Sequence, residues 1–257
     1  MKMPVLFVGH GNPMNAIERN EFHLSWENLA NRLRRPKAVL CISAHWETRG
    51  IYATATETPE TIHDFYGFPR ALFDVKYPAP GDPHLADRTM KLIATERARL
   101  DPGRGLDHGA WGVLIAMYPA ADVPIVQLSL DTSRTGSWHY GIARQLASLR
   151  DEDVLIVGSG NIVHNLRLFS FRDPEPLPWA LEFDAEIQRR ILAREHEALM
   201  DYDTLGPHAR LAVPTPEHYF PLLYALALQE NGESVTFFNA RVQSAVSMTS
   251  VLIGRPA

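Results

Sequence analysis

Four short apolar runs punctuate the first two-thirds of the chain: Val5–Val8 after Pro4, Ala38–Ile42, Pro124–Leu130 and Val154–Val157. Each is rich in β-branched residues and bounded by Gly, Pro, Ser or Asp, the mark of strands buried on both faces. Between them the hydrophobic period lengthens. Phe22, Trp26, Leu29, Ala30 and Leu33 fall at i, i+4, i+7, i+8 and i+11, one apolar stripe that ends before Pro36. Similar patterns predict helices over Trp111–Tyr118, Trp138–Leu149, Trp179–Leu199 and Glu217–Leu228. Val235–Phe238 and Met248–Ile253 predict late strands, antiparallel at an edge. Strand-helix alternation of this kind predicts an α/β fold, a three-layer α/β/α sandwich around a mixed, mainly parallel sheet. No composition shift marks an internal boundary, so a single domain is expected over residues 1–257. Thr56–Pro83 breaks both periods with prolines and aromatics. Irregular segments of that length usually serve as lids or binding loops.

Composition narrows the class. The chain is 46% hydrophobic and 21% charged, with a net charge of −5, which speaks against a nucleic-acid surface. No apolar run approaches the roughly 18–20 residues of a membrane span, and the start of the chain is too soon interrupted for a secretory signal. Cys41 is the only cysteine, which excludes an internal disulfide and a cysteine-cluster metal site. A reduced, cytoplasmic protein is expected.

The unusual feature is eleven histidines. In open α/β sheets, ligands bind beyond the carboxyl ends of the strands. His10 follows the first predicted strand in Gly9-His10-Gly11-Asn12-Pro13, and His45 follows the second in Ser43-Ala44-His45-Trp46. His164 follows the Val154 strand, within Gly160-Asn161-Ile162-Val163-His164-Asn165. His108 immediately precedes a predicted helix, and His218 lies in the first turn of another. Imidazole is the commonest metal ligand and titrates near neutrality. The pattern therefore points to a mononuclear metal centre with a spare acid–base group. A neutral, ligating role suits His218, because positive charge is disfavoured in a first helical turn. His23, His84, His139, His196 and His208 lack glycine framing and are expected to be structural.

Other motifs fail. Gly158-Ser159-Gly160-Asn161-Ile162-Val163 lacks the third glycine of a dinucleotide site, and His196-Glu197 lacks a second histidine four residues on. A P-loop and a G-x-S-x-G elbow are missing as well.

Seven stretches together resemble the class III extradiol ring-cleavage dioxygenases, in the branch of the 4,5-DOPA dioxygenases. They are Gly9–Met14, Ser43–Trp46, Thr61–Phe65, Tyr77–Gly81, Leu106–Trp111, Gly160–Leu166 and Pro214–Tyr219. They occur in family order along nearly the whole chain. The resemblance implies one divalent metal, Fe(II) for oxygenation or Zn(II) as in some members of this branch, and a catechol and O2 as substrates. It implies His10, His45 and His218 as metal ligands, with His164 either a further ligand or the acid–base. His108 is implied to stabilise the oxygen adduct, its tautomer set by Asp107 or by the helix start. The family's third ligand is ordinarily a glutamate, giving a two-histidine, one-carboxylate triad; here His218 stands there with Glu217 beside it. Glu217 alone reads as an acid complementing a helix dipole. The Thr61–Pro80 loop, with His63, Phe65, Tyr66 and Tyr77, is a candidate lid. Since imidazoles ligate only when neutral, metal retention is expected to fall below pH ~6.5. Two rivals remain open: a zinc-dependent hydrolase using the same histidines and a metal binder without activity.

Overall fold

A computed structural model describes residues 2–93, 95 and 98–256; the ends of the expected 1–257 domain and three residues near 95 lie outside them. Ten strands are present among these residues: β1 (Val5–Gly9), β2 (Ala38–Glu47), β3 (Ile51–Thr54), β4 (Ala98–Asp101), β5 (Ile125–Leu130), β6 (Val154–Gly160), β7 (Val235–Phe238), β8 (Val242–Gln243), β9 (Val246–Ser247) and β10 (Ser250–Ile253). Eight form one sheet in the order β4-β3-β5-β2-β6-β1-β10-β7, and β8 and β9 make a separate ribbon. The centre is parallel: β2 pairs with both β5 and β6, and β6 with β1. The late strands are antiparallel, β10 against β1 and β7 at the edge against β10, as their position in the sequence predicts.

Alternation along these buried strands builds the layers. Val5, Phe7, Leu40, Ile42, Val154 and Ile156 enter one core, while Leu6, Val8, Val39, Cys41, Leu155 and Val157 enter the other. The second core is covered by α1 (Glu21–Arg32) and α4 (His108–Met117), which carry Trp26, Leu29, Trp111 and Leu114. In chain order α2 (Arg70–Phe73) and α3 (Pro83–Leu92) come between α1 and α4. The first core is covered by α3 and α5 (Gly136–Arg144), and by α6 (Pro178–Leu192), α7 (His196–Met200), α8 (Ala209–Ala212) and α9 (Phe220–Ala227). A sheet with helices on both faces is the expected three-layer sandwich. No helix among the described residues is long and apolar enough to cross a membrane.

Some boundaries differ from expectation, each for a local reason. The stretch 179–199, expected as one helix, is two: Arg194 takes a left-handed conformation (φ 57°) between α6 and α7. α5 ends at Arg144, and a short 3-10 helix, Ala147–Glu152, continues toward β6. β2 does not stop at Ile42 but runs on to Glu47, past a register shift against β5. His45 therefore lies inside a strand, on the irregular stretch. α9 begins at Phe220, so Glu217 and His218 sit in the turn before it rather than in its first turn. The Thr56–Pro83 segment is largely irregular, with α2 as a single helical turn.

Candidate metal centre

The carboxyl ends of β1 and β2 deliver His10 and His45 to one rim of the sheet, where their Nε2 atoms lie 3.1 Å apart. His218 joins them from the turn before α9, and ligand nitrogens of the three lie within 4.8 Å of one another. Two glycines allow this convergence. A Cβ on Gly160 would overlap the carbonyl oxygen of His218, which accepts the Asn161 N–H at 2.8 Å. A Cβ on Gly109 would overlap Ser43 Oγ and press on His45, so the start of α4 packs against β2 only with glycine there.

His10 and His218 are each held by a hydrogen bond at the other nitrogen, and His45 has a carboxylate beside its own. Ser159 Oγ donates to the Gly109 carbonyl and lies 3.0 Å from His10 Nδ1, so it accepts the Nδ1–H and leaves the Nε2 lone pair free. Glu217 Oε1 does the same for His218 Nδ1 at 3.1 Å. Asp64 Oδ2 lies 3.4 Å from His45 Nδ1. His218 Nε2 is buried with no hydrogen-bond partner. Three neutral imidazoles thus turn lone pairs toward one point, an arrangement that is repulsive without a cation between them. Nitrogens bound at about 2.0–2.1 Å to one tetrahedral zinc lie about 3.3 Å apart, close to the separation of His10 and His45. The donor set fits a divalent metal. Glu217 is therefore an anchor for His218, not a helix-dipole residue.

His164 stands apart from this triplet. Its ring stacks on His218 at 3.4 Å between centroids and 10° between planes, and its ligand atom groups with those of Glu217 and His218. His108 occupies the first position of α4, its ring 4.0 Å from that of His45 and 5.6 Å from that of His10. Its tautomer partner is not Asp107. That carboxylate caps α4 through the Ala110 N–H and bonds Ser43 Oγ at 2.7 Å and the Gln127 amide. The residue beside the His108 ring is Asp64, whose Oδ1 lies 3.0 Å from Nδ1 and accepts the backbone N–H at 2.9 Å. Burial works to raise the Asp64 pKa, but the neighbouring His108 and His45 hold it down at about 2.

Of the candidate lid residues, Phe65 reaches the site, 5.6 Å from the His108 ring. His63 packs on Phe65, Phe73 and Trp111 and bonds the Val75 carbonyl, and Tyr77 is buried with its hydroxyl donating to Leu114 O and Tyr118 O. Those two hold the loop down. Among the remaining histidines, His139 is buried between Tyr224 Oη and the Asp131 carbonyl, and His208 faces Glu182.

Burial lowers the pKa of His10, His45 and His218 well below the ordinary imidazole value, so they stay neutral as pH falls. The expected onset of metal loss near pH 6.5 therefore moves to lower pH. Burial pushes His139 and His164 down to about 4. In the unfolded chain these groups protonate near 6.5. Between pH 6.5 and 4 the unfolded state thus binds more protons than the folded one. The metal-free protein should lose stability as pH drops through that window, by about 1.4 kcal/mol per pH unit for each such group. Urea unfolding at pH 7, 6 and 5 checks this; an unchanged midpoint would contradict it.

The site and fold now meet their relatives. The family model described as the catalytic LigB subunit of aromatic ring-opening dioxygenase matches residues 4–249. The chain belongs to that family and is an extradiol aromatic ring-opening dioxygenase. The family is metal-dependent, and the histidine–carboxylate cluster supplies ligands for a metal here. A protein of Escherichia coli K12 named 4,5-DOPA dioxygenase extradiol is 48% identical over 260 residues, 98% of this chain and 95% of that one. A protein of the same name from Beta vulgaris is 40% identical over 243 residues, covering 91% of this chain and 90% of its own. The crystal structure of an uncharacterized protein from Escherichia coli K12 superposes with a TM-score of 0.87 at 43% identity, covering 98% of this chain and all of that one. Membership in a ring-opening family does not favour the hydrolase reading.

Proposed function

We propose that the chain, as a single catalytic domain over residues 1–257, uses Fe(II) and O2 to open the ring of a catechol such as DOPA beside the diol. The observation that carries this is the meeting of His10, His45 and His218 lone pairs at one point, with two further histidines at its edge. Bound there, Fe(II) would bring catechol and O2 together and pass electron density from ring to oxygen, which zinc, having no redox couple, cannot do. Both oxygen atoms remain in the product, a muconic semialdehyde, so no external reductant is needed.

The chain's own residues do the rest. Ser159, Asp64 and Glu217 hold the three imidazoles in the tautomer that presents Nε2. His164, neutral at pH 7, takes a catechol hydroxyl proton and returns it later, as a general base then acid. His108 faces the reacting oxygens from the start of α4. Phe65, from the Thr56–Pro83 loop, closes the side of the site beside His108. The single free, buried Cys41 suits a cytoplasmic location.

Protein stripped of metal and reloaded anaerobically with Fe(II) should consume O2 when given DOPA or a simpler catechol, and zinc-loaded protein should not. No oxygen uptake with any catechol would sink the proposal. Substrate hydrolysis by the zinc form without O2 would instead support the hydrolase.

A further inference from the structure

We propose that Asp64 is a positioning residue whose single carboxylate sets the tautomers of both His45 and His108, fixing one toward the metal position and the other toward the reacting atoms. The proposal rests on the reading of His10, His45 and His218 as metal ligands. Oδ1 of Asp64 accepts the His108 backbone N–H at 2.9 Å and lies 3.0 Å from His108 Nδ1. Oδ2 lies 3.4 Å from His45 Nδ1. Neither contact is aligned as a hydrogen bond, and His108 Nδ1 has no hydrogen-bond partner. The carboxylate therefore acts on both rings through its charge: an acceptor-only group beside Nδ1 favours the proton there and leaves the Nε2 lone pair. For His45 that lone pair is the one facing His10 Nε2 across 3.1 Å.

Asp64 is held in place from both sides. Ile62 O accepts the Trp111 indole N–H at 2.8 Å, His63 Nε2 lies 3.0 Å from the Val75 carbonyl, and the Phe65 ring rests against Phe68 and Phe73. The irregular loop thereby carries one carboxylate into the gap between two site histidines that come from different elements.

Asp64→Asn tests this without changing size. The His108 backbone N–H can only donate, so it keeps the amide oxygen and turns the amide NH2 toward His45. A donor facing His45 Nδ1 favours the tautomer with its proton on Nε2, where it blocks coordination. The expected results are a 10–100-fold loss of Co(II) or Zn(II) affinity in chelator competition, the usual cost of removing such a partner, and a shift of the His45 N–H from Nδ1 to Nε2 in ¹H–¹⁵N spectra of the metal-free protein. His10 should keep its Nδ1–H, and Asp64→Glu should recover part of the affinity by restoring an acceptor. A merely structural role would lower the unfolding midpoint and leave the His45 tautomer unchanged. Metal affinity within twofold of wild type together with an unchanged tautomer overturns the proposal. So does a metal-free wild-type protein in which His45 already carries its proton on Nε2, a measurement that needs no variant to fold. If wild type binds no divalent metal yet shows the expected tautomers, the metal reading fails while the hold of Asp64 on the two rings stands.

Discussion

His10→Ala is expected to lose metal binding by well over 100-fold and ring-opening activity below detection, with the sheet still folded. Orienting partners alone are worth about 10–100-fold in affinity, and here a ligand itself is removed. His10 sits directly after β1, its backbone N–H bonded to Gly160 O at 3.1 Å, and that contact does not need the side chain. The substitution also removes the Nε2 that faces His45 Nε2 at 3.1 Å. The most telling readout is thermal. A metal that binds only the folded state stabilises it by RT ln(1 + [L]/Kd), about 2.7 kcal/mol at 100 times Kd. Wild type should gain melting temperature with added Zn(II) or Fe(II), whereas His10→Ala should not respond. His139→Gln, far from the triplet in role and bonding, should lower the melting temperature but keep the metal response. A normal metal-induced shift in His10→Ala would remove His10 from the ligand set.

The parts of this architecture that were legible in the sequence are those written in local pattern. β1, β5, β6 and the centre of β2 are fully buried runs, and α1 shows its stripe ending before Pro36. β3 and β4 were not legible, because each has four residues and no residue of β4 is buried. The extension of β2 through Ser43–Glu47 alternates polar Ser43, His45 and Glu47 with apolar Ala44 and Trp46, a run too short for the alternation to stand out from a loop. The site divides the same way. Histidines at strand ends stand out because strand ends are local features, and His10 and His45 were placed by that rule alone. Their partners were not. Ser159 is 149 residues from His10 and reads as one more small residue in a glycine-rich strand. Asp64 meets His108 across 44 residues, and Asp107, adjacent in sequence, is the more obvious but mistaken partner. The sequence names side chains capable of the chemistry, whereas the fold alone chooses which nitrogen each one presents.

His164→Ala should separate ligand from acid–base. The His164 ring lies flat on His218 rather than in the triplet with His10 and His45, so its loss should leave metal affinity within a few-fold of wild type. The rate is another matter. A positioned general acid–base contributes about 10²–10⁴-fold, and kcat should fall by that amount while KM for the catechol changes little. The surroundings of His164 keep it unprotonated at pH 7 and so able to accept a proton, while the low pKa makes it a weak base. Burial, reinforced by His108 nearby, holds its pKa at about 4, and a cation held by His218 would disfavour protonation further. Wild-type kcat should therefore be flat from pH 7 to 6 and fall toward pH 4 as His164 protonates, whereas the residual rate of His164→Ala should lack that limb. Metal analysis and oxygen-uptake kinetics on the same preparation decide the matter. Loss of metal with activity in His164→Ala makes the residue a fourth ligand, and retained metal with an unchanged rate gives it no catalytic part.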